Sequence, residues 1–234
     1  ILNHIYTNYK TDKKIFVIKR GIDTDYFSVK NVSDAEEQKL RNYLDVPHDK
    51  FLLLLPGRLT YWKGQKLFIE AINLLKSQNK FNDCFALIVG SDQGRKKYKN
   101  ELIDLVSKYN LNNFVKIAHS INKIPVAYSI SNLVISSSIE PEAFGRVSVE
   151  AQSMEKPILA SNIGGSTETI IPEKTGWLFK SESPSELANS IEMIKKMDKK
   201  ILDSVGRQGR KNVLDNYSKD TMCSKTLEIY ESLV

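Results

Sequence analysis

The sequence predicts an α/β fold built on a doubly wound parallel sheet, and three observations support this prediction. Short apolar runs alternate with longer amphipathic stretches along most of the 234 residues, which is typical of βαβ units. The runs at 51–55 and 85–89 are unbroken rather than alternating, as expected for strands buried on both faces of a sheet. After residue 179 the patterns are helical only. Together they indicate a parallel sheet with helices on both of its faces.

The elements follow in order along the chain. Apolar runs predict strands at residues 15–18, 51–55, 85–89, 114–117, 133–136, 157–160 and 176–179. Amphipathic stretches predict helices at 33–44, 65–77, 95–109, 124–130 and 145–154, a short one after the glycines at 164 and 165, and further helices from 183 onwards. Two starts carry specific signals: Ser33 with Glu36 forms a capping-box pattern, and Ser183 precedes Pro184 at the first helical position.

The composition is that of an ordinary globular protein. The chain carries 34 basic and 28 acidic residues, a formal charge of +6, which suits an anionic ligand or an anionic membrane surface, or simply a soluble surface. The lysines are scattered and no nucleic-acid recognition motif occurs, so we expect no nucleic-acid partner.

Cysteine content and the ends of the chain also bear on its setting. The two cysteines, Cys84 and Cys223, show no paired spacing, which favours a reducing compartment such as the cytoplasm. No apolar run approaches a membrane span and no signal peptide is recognisable. Because the first residue is Ile1, we expect the chain to be a fragment of a longer protein.

Ligands of doubly wound sheets bind beyond the carboxyl ends of the strands, so the residues after each strand are the candidates. After the strand at 51–55, Gly57 and Gly64 allow close backbone approach, and Arg58 and Lys63 place two cations together. A guanidinium and an ammonium suit the two phosphates of a diphosphate. The alternative is a loop carrying two solvated cations.

Two carboxylates follow the strand at 133–136. Glu142 lies in the loop, Gly145 opens a helix, and Glu150 lies within that helix. Eight residues of helical rise place the two carboxylates up to ~12 Å apart, farther than the pair of a glycoside hydrolase. They are better suited to holding two parts of one long ligand, with the helix N-terminus facing a phosphate between them. A helix cap plus a surface glutamate is the alternative.

Weaker candidates follow the remaining strands. Gly164 and Gly165 offer backbone N–H donors to a ligand, or form a tight turn. Asp92 lies in a loop with only part of a dinucleotide-binding pattern. His119 ends a strand at the ligand edge, although a lone histidine is more often structural. Its neighbours supply no ligand set, so we expect no protein-bound metal.

Taken together, these loops resemble the retaining glycosyltransferases of family 4, which have the GT-B fold of two Rossmann-like domains. The most specific match is the stretch from Glu142-Ala143-Phe144-Gly145 to Glu150, the E-x7-E signature of that family. The other matching residues, in order along the chain, are 17–27, Gly57-Arg58, Lys63-Gly64, Pro157, Gly164-Gly165, Glu168 and Thr175-Gly176. The similarity extends over nearly the whole chain.

The resemblance implies a role for each matching residue. Arg58 and Lys63 would bind the donor diphosphate and stabilise it as it departs, and Glu142 would contact the donor sugar; these three are the catalytic candidates. Glu150 would hold the ribose. The donor-binding set is Gly57, Gly64, Phe144, Gly145, Arg146, Glu150, Gly164 and Gly165, with Asp92, His119 and Glu168 as additional pocket candidates. No cofactor is expected besides the nucleoside diphosphate sugar itself.

The resemblance also implies a domain organisation. Residues 1–20 would be the end of an interdomain linker and a strand entering the domain, residues 21–215 the nucleotide-sugar-binding domain, and residues 216–234 a helix crossing back to an N-terminal domain that this chain lacks. That domain would bind a glycan or lipid-linked acceptor. Without it we expect the fragment to bind donor weakly and to be inactive.

The expected function is transfer of a hexose in bacterial lipopolysaccharide or surface polysaccharide synthesis. The expected location is the cytoplasm, with peripheral association of the intact enzyme at the inner face of the membrane. Two alternatives remain: a non-catalytic nucleotide-binding subunit or remnant of a split enzyme, and a nucleotide-sugar epimerase, which shares the two-domain plan. The nucleotide base, the sugar and the acceptor stay open.

Overall fold

A computed structural model describes residues 2–9 and 14–233. The strands are β1 (Phe51–Pro56), β2 (Cys84–Val89), β3 (Val115–Ala118), β4 (Leu133–Ser136), β5 (Ile158–Ser161) and β6 (Trp177–Phe179). The α-helices are α1 (Leu2–Tyr9), α2 (Asp34–Leu44), α3 (Gln65–Ser77), α4 (Lys96–Lys108), α5 (Pro125–Ile130), α6 (Arg146–Ser153), α7 (Ser166–Thr169), α8 (Pro184–Lys195), α9 (Lys199–Asn216) and α10 (Lys219–Glu231).

The strands form one parallel sheet in the order β3-β2-β1-β4-β5-β6. β1 is central, and it pairs with β2 over six residues but with β4 over only two, Leu53 and Leu54. The strand order reverses direction between β1 and β4, which is the topological switch point of a doubly wound sheet. The predicted fold class is confirmed.

Two apolar layers cover the sheet, one on each face. Leu53 and Leu55 point into a core shared with α3, α4 and α8, whereas Leu52 and Leu54 point into a core shared with α2, α5 and α6. The buried residues of α9 contribute to both layers. This double burial explains the unbroken apolar run that the sequence shows at β1.

Two helices have specific capping signals in the sequence, and both begin where those signals predict. Before α2, the Glu36 backbone N–H donates to Ser33 Oγ at 3.4 Å, and the Ser33 N–H donates to Glu36 Oε2 at 3.0 Å. Before α8, Ser183 Oγ accepts from the Glu186 N–H at 3.3 Å, and Pro184 occupies the first helical position. Both capping predictions are confirmed.

One predicted strand is wrong, and one helix was not predicted. Residues 14–20 have no regular structure, and Phe16 and Val17 are exposed, so the strand expected at 15–18 does not form. An apolar run becomes a strand only where a neighbour supplies hydrogen-bond partners, and the six-stranded sheet does not extend to this segment. Helix α1 (Leu2–Tyr9) has no acidic residue in its first turn, so the sequence carried no signal for the start of this helix.

The chain enters and leaves the sheet domain at one place. The Ile22 N–H donates to the Tyr217 carbonyl at 2.9 Å, and the Lys219 N–H donates to the Ile22 carbonyl at 2.8 Å. The Lys219 ammonium also lies 3.1 Å from the Asp23 carboxylate. We call residues 21–23 together with residues 217–219 the terminal clasp.

Candidate functional site

A cavity of about 470 Å³ opens at the carboxyl edge of the sheet, where β1 and β4 diverge. Its walls come from the loops that follow four strands and from helix α6. The residues that determine its chemistry are Arg58 and Lys63 after β1, Ser120 after β3, and Glu142, Arg146 and Glu150 after β4. The cavity therefore lies at the switch point, where the fold predicts a ligand.

The loop after β1 gathers both predicted cations around one aromatic ring. A 3-10 turn over Tyr61–Lys63 places the Lys63 ammonium 4.6 Å and the Arg58 guanidinium 5.7 Å from the centre of the Trp62 ring. The fully buried Gln65 side chain donates to the Arg58 carbonyl at 2.8 Å. Cation–π contact and this hydrogen bond hold two positive charges side by side at the cavity.

Lys63 forms an ion pair with Glu142. The ammonium lies 2.7 Å from Glu142 Oε1, and the two side chains are 11% and 14% exposed. The Ser138 hydroxyl donates to the same carboxylate oxygen. The pair joins the loop after β1 to the loop after β4, so it depends on these strands being neighbours in the sheet.

Glu150 is the fifth residue of α6, which begins after Gly145 in the left-handed conformation at φ 71°. The carboxylate is almost fully buried, yet it lines the cavity. Arg146 Nε donates to Oε1 at 2.6 Å, and the Tyr128 hydroxyl donates to Oε2 at 2.7 Å. Burial raises the pKa of Glu150, while the hydrogen bonds from Tyr128 and Arg146 act in the opposite direction.

At four of the predicted glycines, Gly64, Gly145, Gly164 and Gly165, an added Cβ would lie closest to protein backbone. A Cβ on Gly64 would lie 1.8 Å from the Ser137 carbonyl oxygen, and one on Gly164 would lie 2.6 Å from the Glu142 backbone. Gly165 donates its N–H to the Glu142 carbonyl at 2.6 Å. These glycines shape the loops that carry the charged groups, and their contact with a ligand stays a prediction. Gly57, by contrast, lines the cavity.

Phe144 lies beside the cavity rather than in its wall. Its ring packs against Tyr217, with 6.1 Å between ring centres. It lines a second, smaller cavity of about 190 Å³, together with Arg146 and Lys219. Arg146 lines both cavities, so the predicted donor residues at the start of α6 lie at the boundary between them.

The three additional pocket candidates are not among the residues that line the main cavity. Asp92 accepts from the Gly94 N–H at 2.9 Å within its own loop. His119 Nδ1 lies 2.9 Å from the hydroxyl of Ser120, which does line the cavity. The Glu168 carbonyl accepts from the Tyr217 hydroxyl at 2.7 Å. All three make local hydrogen bonds, and their contact with a ligand stays a prediction.

Sequence reasoning missed Tyr128 and the wall after β3. Tyr128 is fully buried in α5, and its place in an apolar helix gave no sign of a polar partner. Ile121 and Ile124 form the apolar part of the wall beside Ser120. The rule that ligand residues follow strands could have identified Ser120 and Ile121, because they are the second and third residues after β3.

The charged groups of the site suit a ligand that carries both a negative charge and several hydroxyl groups. Three cations and two carboxylates line the cavity beside apolar residues, which suits a ligand with a negative centre, hydroxyl groups and a flat apolar part. Within residues 2–9 and 14–233, no three His, Cys, Asp or Glu side chains come together as metal ligands.

Two further features concern the setting of the site. In the part of the chain that the structure describes, none of the helices combines the length and apolar character needed to cross a membrane. Cys84 is buried and Cys223 is exposed, and both are free thiols. Burial raises the pKa of the Cys84 thiol to about 12.

Solved structures share this architecture. A glycosyltransferase from Rickettsia africae is 35% identical and superposes with a TM-score of 0.93, covering 99% of this chain and 60% of that one. Alr3699/HepE from Anabaena, solved in complex with UDP and glucose, is 28% identical with a TM-score of 0.83, covering 93% of this chain and 57% of that one. The α/β Rossmann-like fold found here is thus that of GT-B glycosyltransferase structures.

Curated glycosyltransferases are also similar to this chain in sequence. A D-inositol 3-phosphate glycosyltransferase from Arthrobacter is 28% identical over 81% of this chain and 44% of its own length. The capsular polysaccharide biosynthesis glycosyltransferase CapM from Staphylococcus aureus is 24% identical over 98% of this chain and 58% of its own length. The chain spans about half the length of the curated relatives it matches.

The family match covers the sheet and the site together. The family described as glycosyl transferases group 1 matches residues 36–212. This stretch runs from α2 to α9, it includes Arg58, Lys63, Glu142 and Glu150, and it is more than half of the 234 residues. The chain belongs to the glycosyl transferases group 1 family.

Proposed function

We propose that this chain is the donor-binding half of a glycosyltransferase that moves a hexose from a nucleoside diphosphate sugar to an acceptor. The single observation that carries the proposal is the cavity at the switch point. It combines the Arg58 and Lys63 cations with the two carboxylates Glu142 and Glu150. The family match favours a transferase over a nucleotide-sugar epimerase.

Each group at the cavity suits one part of the donor. Arg58 and Lys63 bind the diphosphate and stabilise the negative charge that develops on it as the bond to the sugar breaks. Glu150 accepts hydrogen bonds from the two ribose hydroxyls, and Glu142 accepts one from the sugar. The apolar wall at Ile121 and Ile124 leaves space for the flat base.

UDP is the proposed nucleotide. Support comes from Alr3699/HepE, which was solved with UDP and with UDP-glucose and superposes over 93% of this chain. No cofactor is needed in this scheme, because positioned cations supply the charge stabilisation at the departing diphosphate.

The acceptor is proposed to be a glycan or a lipid-linked glycan of a bacterial surface polysaccharide, of which lipopolysaccharide is one. The proposed stereochemical outcome is retention at the anomeric carbon. CapM supports a polysaccharide product through its name. The proposed setting is the cytoplasm, at the inner face of the membrane, where a lipid-linked acceptor would present its glycan.

The chain by itself is proposed to bind donor without transferring sugar. The 21–215 unit carries the donor site, and helix α10 is proposed to dock on the acceptor-binding half of the intact enzyme. Exposed Leu227, Tyr230 and Leu233 at the end of the described chain fit such a role. Without that half, the donor site stays open to water and has no acceptor groups.

Ligand-observed NMR and calorimetry with UDP, GDP, ADP and their glucose conjugates test the proposal. We expect UDP and UDP-glucose to bind, and Lys63→Ala to weaken the binding of UDP at least tenfold, since one charge-assisted contact to the diphosphate is lost. The matched control is Lys108→Ala, which removes an exposed lysine at the end of α4. A chain that binds none of the six ligands at millimolar concentration contradicts the proposal, and so does equal weakening by both variants.

A further inference from the structure

The hydroxyl of Tyr128 is a buried polar group that contacts the candidate site. The whole residue is buried, with no exposed surface. Its ring packs edge-on against Phe27, with 6.0 Å between ring centres. Its hydroxyl donates to Glu150 Oε2 at 2.7 Å. A buried phenol placed this way has one partner and one orientation, so it acts as a fixed donor.

The number of lone pairs on Glu150 shows what this donor achieves. Each carboxylate oxygen has two acceptor positions. Tyr128 takes one on Oε2, and Arg146 takes one on Oε1. One position on each oxygen is left, and Glu150 lines the cavity. The carboxylate is thus held from two sides and keeps one acceptor on each oxygen, which matches a pair of neighbouring hydroxyls.

We propose that Tyr128 is a positioning residue for nucleotide binding, whose hydroxyl holds the Glu150 carboxylate in the orientation that accepts the vicinal diol of the donor's ribose. This inference rests on the proposed function for the identity of the ligand. Tyr128 does not line the cavity, so it acts through Glu150 and not on the ligand itself.

Ionisation matters because a protonated carboxyl loses one of its two acceptor oxygens. Burial raises the pKa of Glu150, and the hydrogen bond from Tyr128 is the largest influence that lowers it, followed by Arg146 and then the charge of Lys63. Glu142, on the neighbouring loop, is the other charged group near the Tyr128 hydroxyl. Removing the hydroxyl therefore leaves Glu150 buried with one fewer donor, and the pKa of its carboxyl rises.

The direct test is Tyr128→Phe, which keeps the ring and removes one oxygen atom. Tyr109→Phe, at the end of α4 and away from the cavity, is the matched control. We expect the Kd for UDP to rise about tenfold at pH 7 in Tyr128→Phe, since one hydrogen bond to a charged group is lost. We expect no change in Tyr109→Phe.

The pH profile separates positioning from a packing defect. The pH at which UDP affinity is half lost on acidification is expected to move upward by about one unit in Tyr128→Phe. A packing defect would weaken binding equally at every pH. In a Glu150→Gln background the same change is expected to have no effect on the pH profile, because the titrating group is gone.

A ligand-free readout keeps this inference separate from the proposed function. The side-chain carboxyl ¹³C resonance of Glu150 is followed against pH in the chain and in Tyr128→Phe. An upward shift of the midpoint in the variant supports the inference even if UDP is not the ligand. If Tyr128→Phe fails to fold, the hydroxyl proton of Tyr128 in the original chain must move with the Glu150 titration. Unchanged midpoints, or a hydroxyl resonance indifferent to that titration, overturn the inference.

Discussion

At the scale of single residues, the Lys63–Glu142 ion pair has a direct consequence for ligand binding. Without a ligand, the ammonium is already neutralised by a carboxylate 2.7 Å away. A diphosphate must therefore share or replace this partner. The same carboxylate is proposed to bind the sugar. The Glu142 side chain is therefore expected to weaken the binding of the nucleotide and to strengthen the binding of the sugar.

Glu142→Gln is expected to separate these two effects. The variant should bind UDP about threefold to tenfold more tightly, because Lys63 loses its competing charge. It should lose any gain in affinity that the glucose of UDP-glucose gives the original chain. Calorimetry with both ligands measures the two changes. Exposed Glu101→Gln is the control, and weaker UDP binding by Glu142→Gln would count against the competition.

Glu150 also makes the stability of the fold depend on pH. Burial raises the pKa of Glu150 in the folded state above its ordinary value of 4.5, so folding shifts this group towards its protonated form. Its contribution to stability is fully present below pH 4.5 and is lost as the pH rises through the folded pKa. Glu150→Gln, which resembles the protonated form, should therefore gain stability relative to the original chain as the pH rises above 4.5.

Urea unfolding at several pH values measures this difference. The control is again Glu101→Gln, at an exposed position of α4. The result that contradicts the argument is a free-energy difference between Glu150→Gln and the original chain that does not change with pH, or that moves in favour of the original chain as the pH rises.

Sequence patterns identified the charged residues of the site but not their partners. Arg58, Lys63 and Glu150 were found because they follow predicted strands or lie at a signature spacing. Tyr128 and Glu150 lie on two different helices and are 22 positions apart in the chain. Nothing in the sequence of an apolar helix marks one of its tyrosines as a hydrogen-bond donor. Such contacts are set by packing, which a single sequence does not display.

At the scale of elements, the start of α3 depends on one glycine. Gly64 has a left-handed φ of 69°, and a Cβ there would lie 1.8 Å from the Ser137 carbonyl oxygen. Gly64→Ala is expected to destabilise the fold by about 3 kcal/mol or more, from backbone strain together with that clash. Urea unfolding measures the change in free energy.

Gly94 provides a matched control with the same kind of backbone. Its φ is 83°, and nothing lies within 4 Å of an added Cβ. Gly94→Ala should therefore cost only the conformational strain, about 1 kcal/mol. Equal costs at the two positions would mean that the contact between the loops after β1 and β4 is not what restricts position 64 to glycine.

Elements with local signals were the ones that the sequence predicted well. The helix at 65–77 and the strand at 133–136 match α3 and β4 residue for residue, because each has a clear apolar period and a turn after it. The segment at 15–18 has the apolar run but lacks a neighbouring strand. A strand forms only when a neighbouring strand pairs with it, so a local apolar pattern can suggest a strand where none forms.

At the scale of the whole molecule, the site exists because β1 and β4 are neighbours although β2 and β3 lie between them in sequence. The sequence predicted a doubly wound sheet, and hence ligands at the carboxyl edge. It did not reveal that Lys63 and Glu142, 79 positions apart, would form an ion pair. That ion pair depends on the order of the strands in the sheet. The alternation of strands and helices along the sequence does not determine this order.

Ligand binding should stabilise the whole domain. At a UDP concentration one hundred times its Kd, the free energy of unfolding is expected to increase by about 2.7 kcal/mol, which raises the melting temperature by several degrees in a chain of this length. Thermal unfolding followed by circular dichroism measures the shift. Glu150→Gln should show a much smaller shift at the same concentration, and an equal shift would place the nucleotide elsewhere.

The terminal clasp brings the two chain segments that flank the sheet domain together at one point. Residues 14–20 and helix α10 leave the sheet side by side, tied through Ile22, Asp23 and Lys219. The small cavity beside the clasp shares Arg146 with the nucleotide site. Residues 21–23 and residues 217–219 are joined there by hydrogen bonds and an ion pair, so a force that pulls on one segment also acts on the other. Because Arg146 lines both cavities, the chain passes into and out of the sheet domain beside a residue of the candidate site.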